Sequence, residues 1–341
     1  MASLPGSGGN MRKTFFLLVT LLLAGTAFAN DTYFFTSGGN LIPAEEKNIS
    51  IQMKSEVITI VLQPDYYEIT VDFNFYNTGK TTELLVGFPF FEAGIGGHGK
   101  IYDFKCWTNG ELKDYSDMPL IREFSNHNYN AENLENAYTR TITFPAKKST
   151  STKVNYKSEY GFDTDGQIIK YLYGTGSSWK GSIGEITVIL ENNLPYARPN
   201  EFELPKGKST PFTRIADNKW EAHFYKIEPK YTDCITIHTG NILDDTGPKC
   251  FPSYFKFNRV KAEKDWLFWY TRPQLRIVRN ALYALHGYNF KSADLKELFT
   301  EWGKYWYPEY TVNPAFTENE LSDIEKYNIQ LILTEEESRS K

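Results

Sequence analysis

"YEITVDFNFYN", residues 67 to 77, puts Ile69, Val71, Phe73 and Phe75 on one face of an extended chain and Glu68, Thr70, Asp72 and Asn74 on the other. Successive side chains of a strand point to opposite faces, so this period of two predicts a strand with one dry side and one wet side. Sheets of that kind are characteristically antiparallel.

Similar alternation runs from Asn48 to about Thr239, broken by turns. "WTNGELK" carries Asn109-Gly110 and "FDTDGQI" carries Asp165-Gly166, both signals for tight hairpins whose central residues need positive φ. "EITVIL" (185 to 190) and "CITIH" (234 to 238) are further short strands. Many short strands with frequent Gly, Pro and Asn turns predict an antiparallel β-sandwich, either one or two stacked.

After Pro252 the pattern becomes helical. Thr271 and Gln274 form a capping-box pair with Pro273 in the first turn, and Leu275, Val278, Ala281, Leu282 and Leu285 share one face. Gly287 fits the helix stop. Ser292 is placed to cap "ADLKELFTEW", and Thr317 with Glu320 repeats the capping box ahead of a third helix. The expected class is therefore α+β and multidomain: a β-sandwich over residues 30–245, a small mainly helical module over 253–334, and a charged tail at 335–341 that frays.

The first 29 residues read as an export signal. Met11-Arg12-Lys13 is followed by an apolar run and the Ala27-Phe28-Ala29 cleavage pattern, with residues 1–10 an upstream extension. That run is well short of the roughly 20 residues a membrane span needs, so an exported chain without a transmembrane segment is expected, periplasmic or extracellular. A net charge of -5 excludes the basic footprint of a nucleic-acid binder.

Motifs for chemistry are sparse. "GIGGHGK" (94 to 100) lacks the Ser or Thr and the helix that a phosphate loop requires, and reads as a glycine loop between strands. "DTDG" (163 to 166) lacks the rest of a calcium loop. His98, His127, His223 and His238 are scattered, and no cofactor or metal is implied. Cys106, Cys234 and Cys250 allow at most one disulfide, with Cys234–Cys250 and free thiols equally open.

One constellation stands out. Arg272, Arg276, Arg279, Tyr283 and His286 are spaced 4, 3, 4 and 3 along the first helix and so line one stripe, beside its apolar face. Such a stripe either grips an anionic or sugar-bearing ligand or serves structure, with the arginines on Asp294, Glu297 or Glu325 and His286 on the last carbonyls. Charge leaves the same two options. Residues 253–291 hold eight Lys/Arg against two acids, and 292–341 hold five against eleven, so the halves either dock on each other or the basic one faces an anionic polymer. "EWGKYWYPEY" (301 to 310) adds Trp302, Tyr305, Trp306, Tyr307 and Tyr310, as core or as a sugar platform.

"RNALYALHGYNF", "DLKELF", "WYPEY" and "LSDIEKYNIQLI" together resemble the YARHG domain family over some 70 residues. Leu285 stands where that family usually has arginine. The resemblance implies an extracellular bacterial module supposed to bind peptidoglycan or otherwise associate with the cell wall. Arg279, Asn280, Tyr283, His286, Gly287, Tyr288, Trp306 and Tyr307 are the positions carried over. "NDTYFFTSGGN", "VDFNFYNTG" with "VGFPF", and "YGTGSSWKGSIGEITVIL" resemble the exported DUF4424 domains of unknown function, across about residues 30–245. Together these readings anticipate a non-enzymatic envelope protein with ligand candidates Arg276, Arg279, Tyr283, His286, Tyr288, Trp306 and Tyr307. An envelope hydrolase with carboxylates on the sandwich loops, or a protein-protein adaptor, are the alternatives.

Overall fold

The computed structural model describes residues 34–39, 41–43, 49–94, 101–119, 136–163, 166–230, 233–243, 257–305 and 309–339. The export signal, most of the "GIGGHGK" loop, His98, His127, Cys250, Trp306 and Tyr307 lie outside the described residues.

The Tyr67–Asn77 segment is a strand whose alternation holds to its end: Tyr67, Ile69, Val71, Phe73 and Phe75 are buried, while Asp72 and Asn74 are exposed. It lies inside a sheet that runs, in spatial order, Lys208–Ser209, Lys219–Ile227, Ile183–Asn192, Ile51–Leu62, Tyr67–Asn77, Ser149–Ser158, Ile101–Thr108 and Glu111–Lys113, with Thr213–Ala216 on Lys219–Ile227. A second sheet runs Ala197–Glu203, Ile235–Asn241, Gly166–Leu172, Gly161–Asp163, Phe34–Gly39, Thr82–Gly94, Asn136–Phe144 and Ser116–Pro119, with Ile42–Pro43 on Thr82–Gly94. One hydrophobic cluster joins the inner faces, from Ile58, Val71 and Val188 on the first sheet to Phe88, Ile142 and Ile237 on the second. The body is therefore one sandwich with one shared core.

Two features depart from the plain antiparallel expectation. Ile183–Asn192 pairs parallel with Ile51–Leu62, and Phe34–Gly39 pairs parallel with Gly166–Leu172. Both partners are more than a hundred residues apart in sequence, beyond the reach of local periodicity. Trp179, from "TGSSWKGSIG", closes the core between the sheets. Its ring lies 4.6 Å from Phe75 and 5.9 Å from Phe144, and its Nε1–H donates to Leu41 O at 2.7 Å. The Asn109-Gly110 hairpin forms as expected, with φ of 50° and 83°.

The helical module consists of α1 (Arg272–Ala284), α2 (Ala293–Trp302) and α3 (Asp323–Ser338) around a second cluster centred on Leu275, Val278, Leu282, Phe299 and Ile332. The α1 capping box is present: Thr271 Oγ1 accepts from Gln274 N, and Gln274 Oε1 accepts from Thr271 N. Gly287 ends α1 with φ of 76°, and the Tyr288 and Gly287 amides bond back to Tyr283 O and Ala284 O. A side chain at Gly287 would also strike the backbone of Thr311, so the position needs glycine twice over.

Three helix boundaries depart from the expectation. Ser292 sits at the N-cap of α2 without capping it, because its hydroxyl is engaged with Arg276 and Asp294. Glu320 does reach back to Thr317 N, yet closes only the short 3₁₀ turn Glu318–Glu320. The long helix starts after Leu321, which is extended and buried, and uses a second capping box, Ser322 with Glu325. Its far end does not fray at 335, since Glu335, Glu336 and Arg339 are held by ion pairs.

Body and module are packed together. Arg214 on the body donates to Phe268 O and Leu267 O and pairs with Glu335 at 3.4 Å. Arg339 donates to Tyr270 O and to Leu267 O and pairs with Glu335 at 2.9 Å. Gln274, fully buried, donates through Nε2 to Leu194 O (2.6 Å) and Ala197 O (2.8 Å) of the body. Trp269 packs among Phe202, Phe212 and Trp220, and the module's core takes in Ile242 and Leu243. Among the described residues no helix is long and apolar enough to cross a membrane.

Candidate functional site

The α1 stripe is formed, and most of its charge is directed inward, across the module. Arg276 makes a forked contact to Asp294, at 2.6 and 3.3 Å, and donates to Ser292 Oγ at 3.0 Å. Hydrogen bonds from Arg276 and Ser292 hold the Asp294 carboxyl well below the usual carboxylate range, although the group is open to solvent. Arg279 makes the corresponding fork to Glu336 of α3, at 2.6 and 3.3 Å. This second pair is the more secluded, with Glu336 only 8% exposed, so the two planar groups meet largely out of water.

His286 lies 3.0 Å, through Nε2, from Oε1 of the buried Glu325. The other oxygen of Glu325 accepts from Ser322 N at 2.7 Å, so one carboxylate both caps α3 and anchors the end of α1. The imidazole thus works on a facing helix, where the dipole reading had placed it on its own last carbonyls. Arg272 serves through its backbone, whose N–H meets both Asp217 carboxylate oxygens at 3.0 Å.

What remains at the surface of this end is aromatic. Tyr283, Tyr288 and Phe316, each half-buried, lie with ring centroids 5.7, 6.4 and 5.6 Å apart, and His286 lies 6.3 Å from Phe316. Burial raises the Tyr283 phenol, Glu318 adds to that, and Arg279 opposes it. Tyr310 donates its hydroxyl to Tyr288 O at 2.8 Å, which pins the loop beneath the patch. The charged stripe and the aromatic patch are brought together, whereas the Trp306-Tyr307 step lies outside the described residues.

A concave feature lies on the wet face of the first sheet, opposite its core. Its volume is ≈ 930 Å³. Strand register aligns Val57, Asp72, Lys153 and Trp107 in one row across four strands, with Ser55, Asn74 and Ser151 in the row beside it. Lys153 pairs with Asp72 at 3.5 Å and lies 6.0 Å over the indole of Trp107. Asn155 donates to Glu68 at 2.6 Å and to Thr70 at 2.9 Å. Asn109, in the flanking turn, accepts from Ser151 N at 3.1 Å. These residues come from segments up to a hundred apart, and alternation marked them only as solvent-side positions. The one local signal was Trp107, an indole on the wet side of "KIYDFKCW".

Other chemistry is limited. Among the described residues no group of His, Cys, Asp and Glu is assembled to hold a metal. His223 is bracketed on the first sheet by Glu185 (2.9 Å) and Glu221 (3.1 Å). Arg140 is buried inside the sandwich, where among the described residues its guanidinium meets the Cys106 thiol and no oxygen acceptor. Burial disfavours its charge, with the neighbouring Cys106 opposing that effect.

Residues 261–337 match the YARHG domain model. No curated protein matches the sequence significantly. Among solved structures the chain is similar to a protein of Legionella pneumophila, provisionally described as a nutrient binding protein. The TM-score is 0.50 at 20% identity, over 89% of this chain and 99% of that one. A more distant likeness, TM-score 0.33 at 9% identity, is to an M1 zinc metallopeptidase of Deinococcus radiodurans, over 55% of this chain and 42% of that one. The first likeness bears out the fold of a β-rich body followed by a small helical module. The YARHG match fits an exported, envelope-associated protein.

Proposed function

We propose that this is a non-enzymatic binding protein of the bacterial envelope whose C-terminal module engages the cell wall, with peptidoglycan as the polymer. The observation that carries the reading is the half-buried aromatic patch of Tyr283, Tyr288 and Phe316, on the stripe of α1 that Arg276 joins two turns earlier, within the YARHG-matched segment. Aromatic rings offer flat apolar faces to the C–H sides of sugars, and the part-exposed Arg276, whose bonds to Asp294 and Ser292 use three of its five N–H donors, keeps the others for carboxylates of the stem peptide. Arg279 and His286 belong to this site as its supports, holding α1 against α3.

The likeness of residues 30–245 to DUF4424 domains is part of the proposal, as is a boundary to the module between residues 245 and 253. It supports export and a β scaffold, and brings no catalytic residues. A Cys234–Cys250 bridge would suit that exported setting. A glycoside hydrolase of the usual kind sets a pair of carboxylates on either side of the bond it cleaves. In the sheet-face trough the lining carboxylate is Asp72, and it is ion-paired to Lys153.

Co-sedimentation of the purified chain with isolated peptidoglycan tests the proposal. Retention well above a serum-albumin control at physiological salt is expected, with loss of that retention in Tyr288→Ala and Arg276→Ala. Retention no better than albumin would sink it.

A further inference from the structure

We infer that the trough on the wet face of the first sheet is a binding site for a neutral oligosaccharide. It is separate from the module's patch, and the inference does not rest on the wall-binding proposal.

The wet side of a sheet is ordinarily polar, so polarity alone says nothing. Trp107 is the departure. A half-buried indole stands on the solvent face of a strand, beside the Asn109-Gly110 turn that walls the trough. A single ring on a surface is ordinary, but an indole lining a concave polar site presents a flat apolar face to whatever occupies that site. The neighbouring cover is Lys153, whose ammonium lies over the ring and is only loosely tied to Asp72. An exposed pair of this kind is worth little and opens readily. Lys153 therefore shields the indole in the unliganded state and swings aside when a ligand covers it.

The other groups suit hydroxyls. Asn74 offers a donor and an acceptor in one plane, Asn155, whose two amide hydrogens go to Glu68 and Thr70, offers its carbonyl oxygen, and Ser55 and Ser151 add hydroxyls that serve as either. Asn155 is already oriented by Glu68 and Thr70, so its amide is positioned before a ligand arrives. The lining holds one acid and one base, which cancel. A polyanion finds no excess positive charge there, and a peptide finds no row of unpaired backbone groups, because these strands lie within the sheet. Four strands span about 15 Å from centre to centre, and the volume is that of a ligand site, not of a broad protein interface. A short chain of uncharged sugars, one ring on Trp107 with hydroxyls reaching Asn74 and Ser151 in the row on one side and Asn155 in the row on the other, meets each of these features.

Isothermal titration of the full chain with chitotetraose, cellotetraose and maltotetraose tests this. Binding of at least one is expected, weakened by about tenfold or more in both Trp107→Ala and Asn74→Ala. Asn74 is exposed on the sheet face, so its variant keeps the test usable if Trp107→Ala misfolds. Lys296→Ala, exposed on the module and outside both sites, should leave the affinity unchanged. Absence of binding by all three sugars at millimolar concentration overturns the inference, and so does binding that survives both substitutions. Sugar binding without sedimentation on peptidoglycan would sink only the proposal for the module.

Discussion

The sandwich and the helical module solve the same problem with different forces. The sandwich stacks two broad sheets and fills the gap with Phe73, Phe75, Phe88, Phe144 and Trp179, so area holds it together. The module is small, and small units bury too little surface to rely on area alone. It adds forked arginine–carboxylate pairs between helices, a shared capping glutamate, and amide side chains that tie it to the body. Charge that looked in the sequence like a surface for a polymer is largely the module's own fastening.

Substitutions that remove each kind of force should separate the two regions. Phe75→Ala, in the middle of the aromatic core, should cost about 4 kcal/mol, read as a drop in the urea midpoint at unchanged slope. Arg279→Ala should cost about 3 kcal/mol, because it strands the buried Glu336. The double change Arg279→Met with Glu336→Leu should recover most of that loss, which a purely steric role for Arg279 does not predict. Gln274→Ala should cost about 2 kcal/mol by orphaning buried backbone groups of both regions. The body also holds a misfit of its own: Arg140→Met should raise stability by about 1 kcal/mol, by removing a buried charge. A fall in the melting midpoint of that variant would show that Arg140 is engaged.

The smallest effect is a pH dependence at the junction. Burial pushes the Glu335 carboxyl up, but Arg339, Lys264 and Arg214 together outweigh it and hold the group below its ordinary range. A depressed folded value means that the contribution is present above the unfolded value and lost as pH falls through the folded one. The melting midpoint should therefore decline more steeply below about pH 4 in the native chain than in Glu335→Gln.

How much of this was legible differs between the regions for the same reason. Period-two alternation put each residue of Tyr67–Asn77 on its correct side, and Asn109-Gly110 named its own turn, because both are local rules. Alternation carries no information about which strand lies alongside, so neither the parallel pairings nor the row from Val57 to Trp107 was visible. In the module, spacing assembled the α1 stripe correctly, and Asp294 was among the partners anticipated for its arginines. Glu336 was not, since it sits 57 residues from Arg279 in a stretch read as a fraying tail. The second capping box at Ser322 went unread because Thr317 offered the same signal five residues earlier.

The clasp of Arg214, Glu335 and Arg339 between body and module bears on how two weak attachments would add up. Domains on a slack tether find a second site by diffusion of the linker, at an effective concentration set by its length. Here no slack separates the aromatic patch from the sheet-face trough, so their spacing is fixed like the jaws of a caliper. A lattice whose sugar chains match that spacing would be held with avidity far above either contact alone. One that does not match would be held by a single jaw.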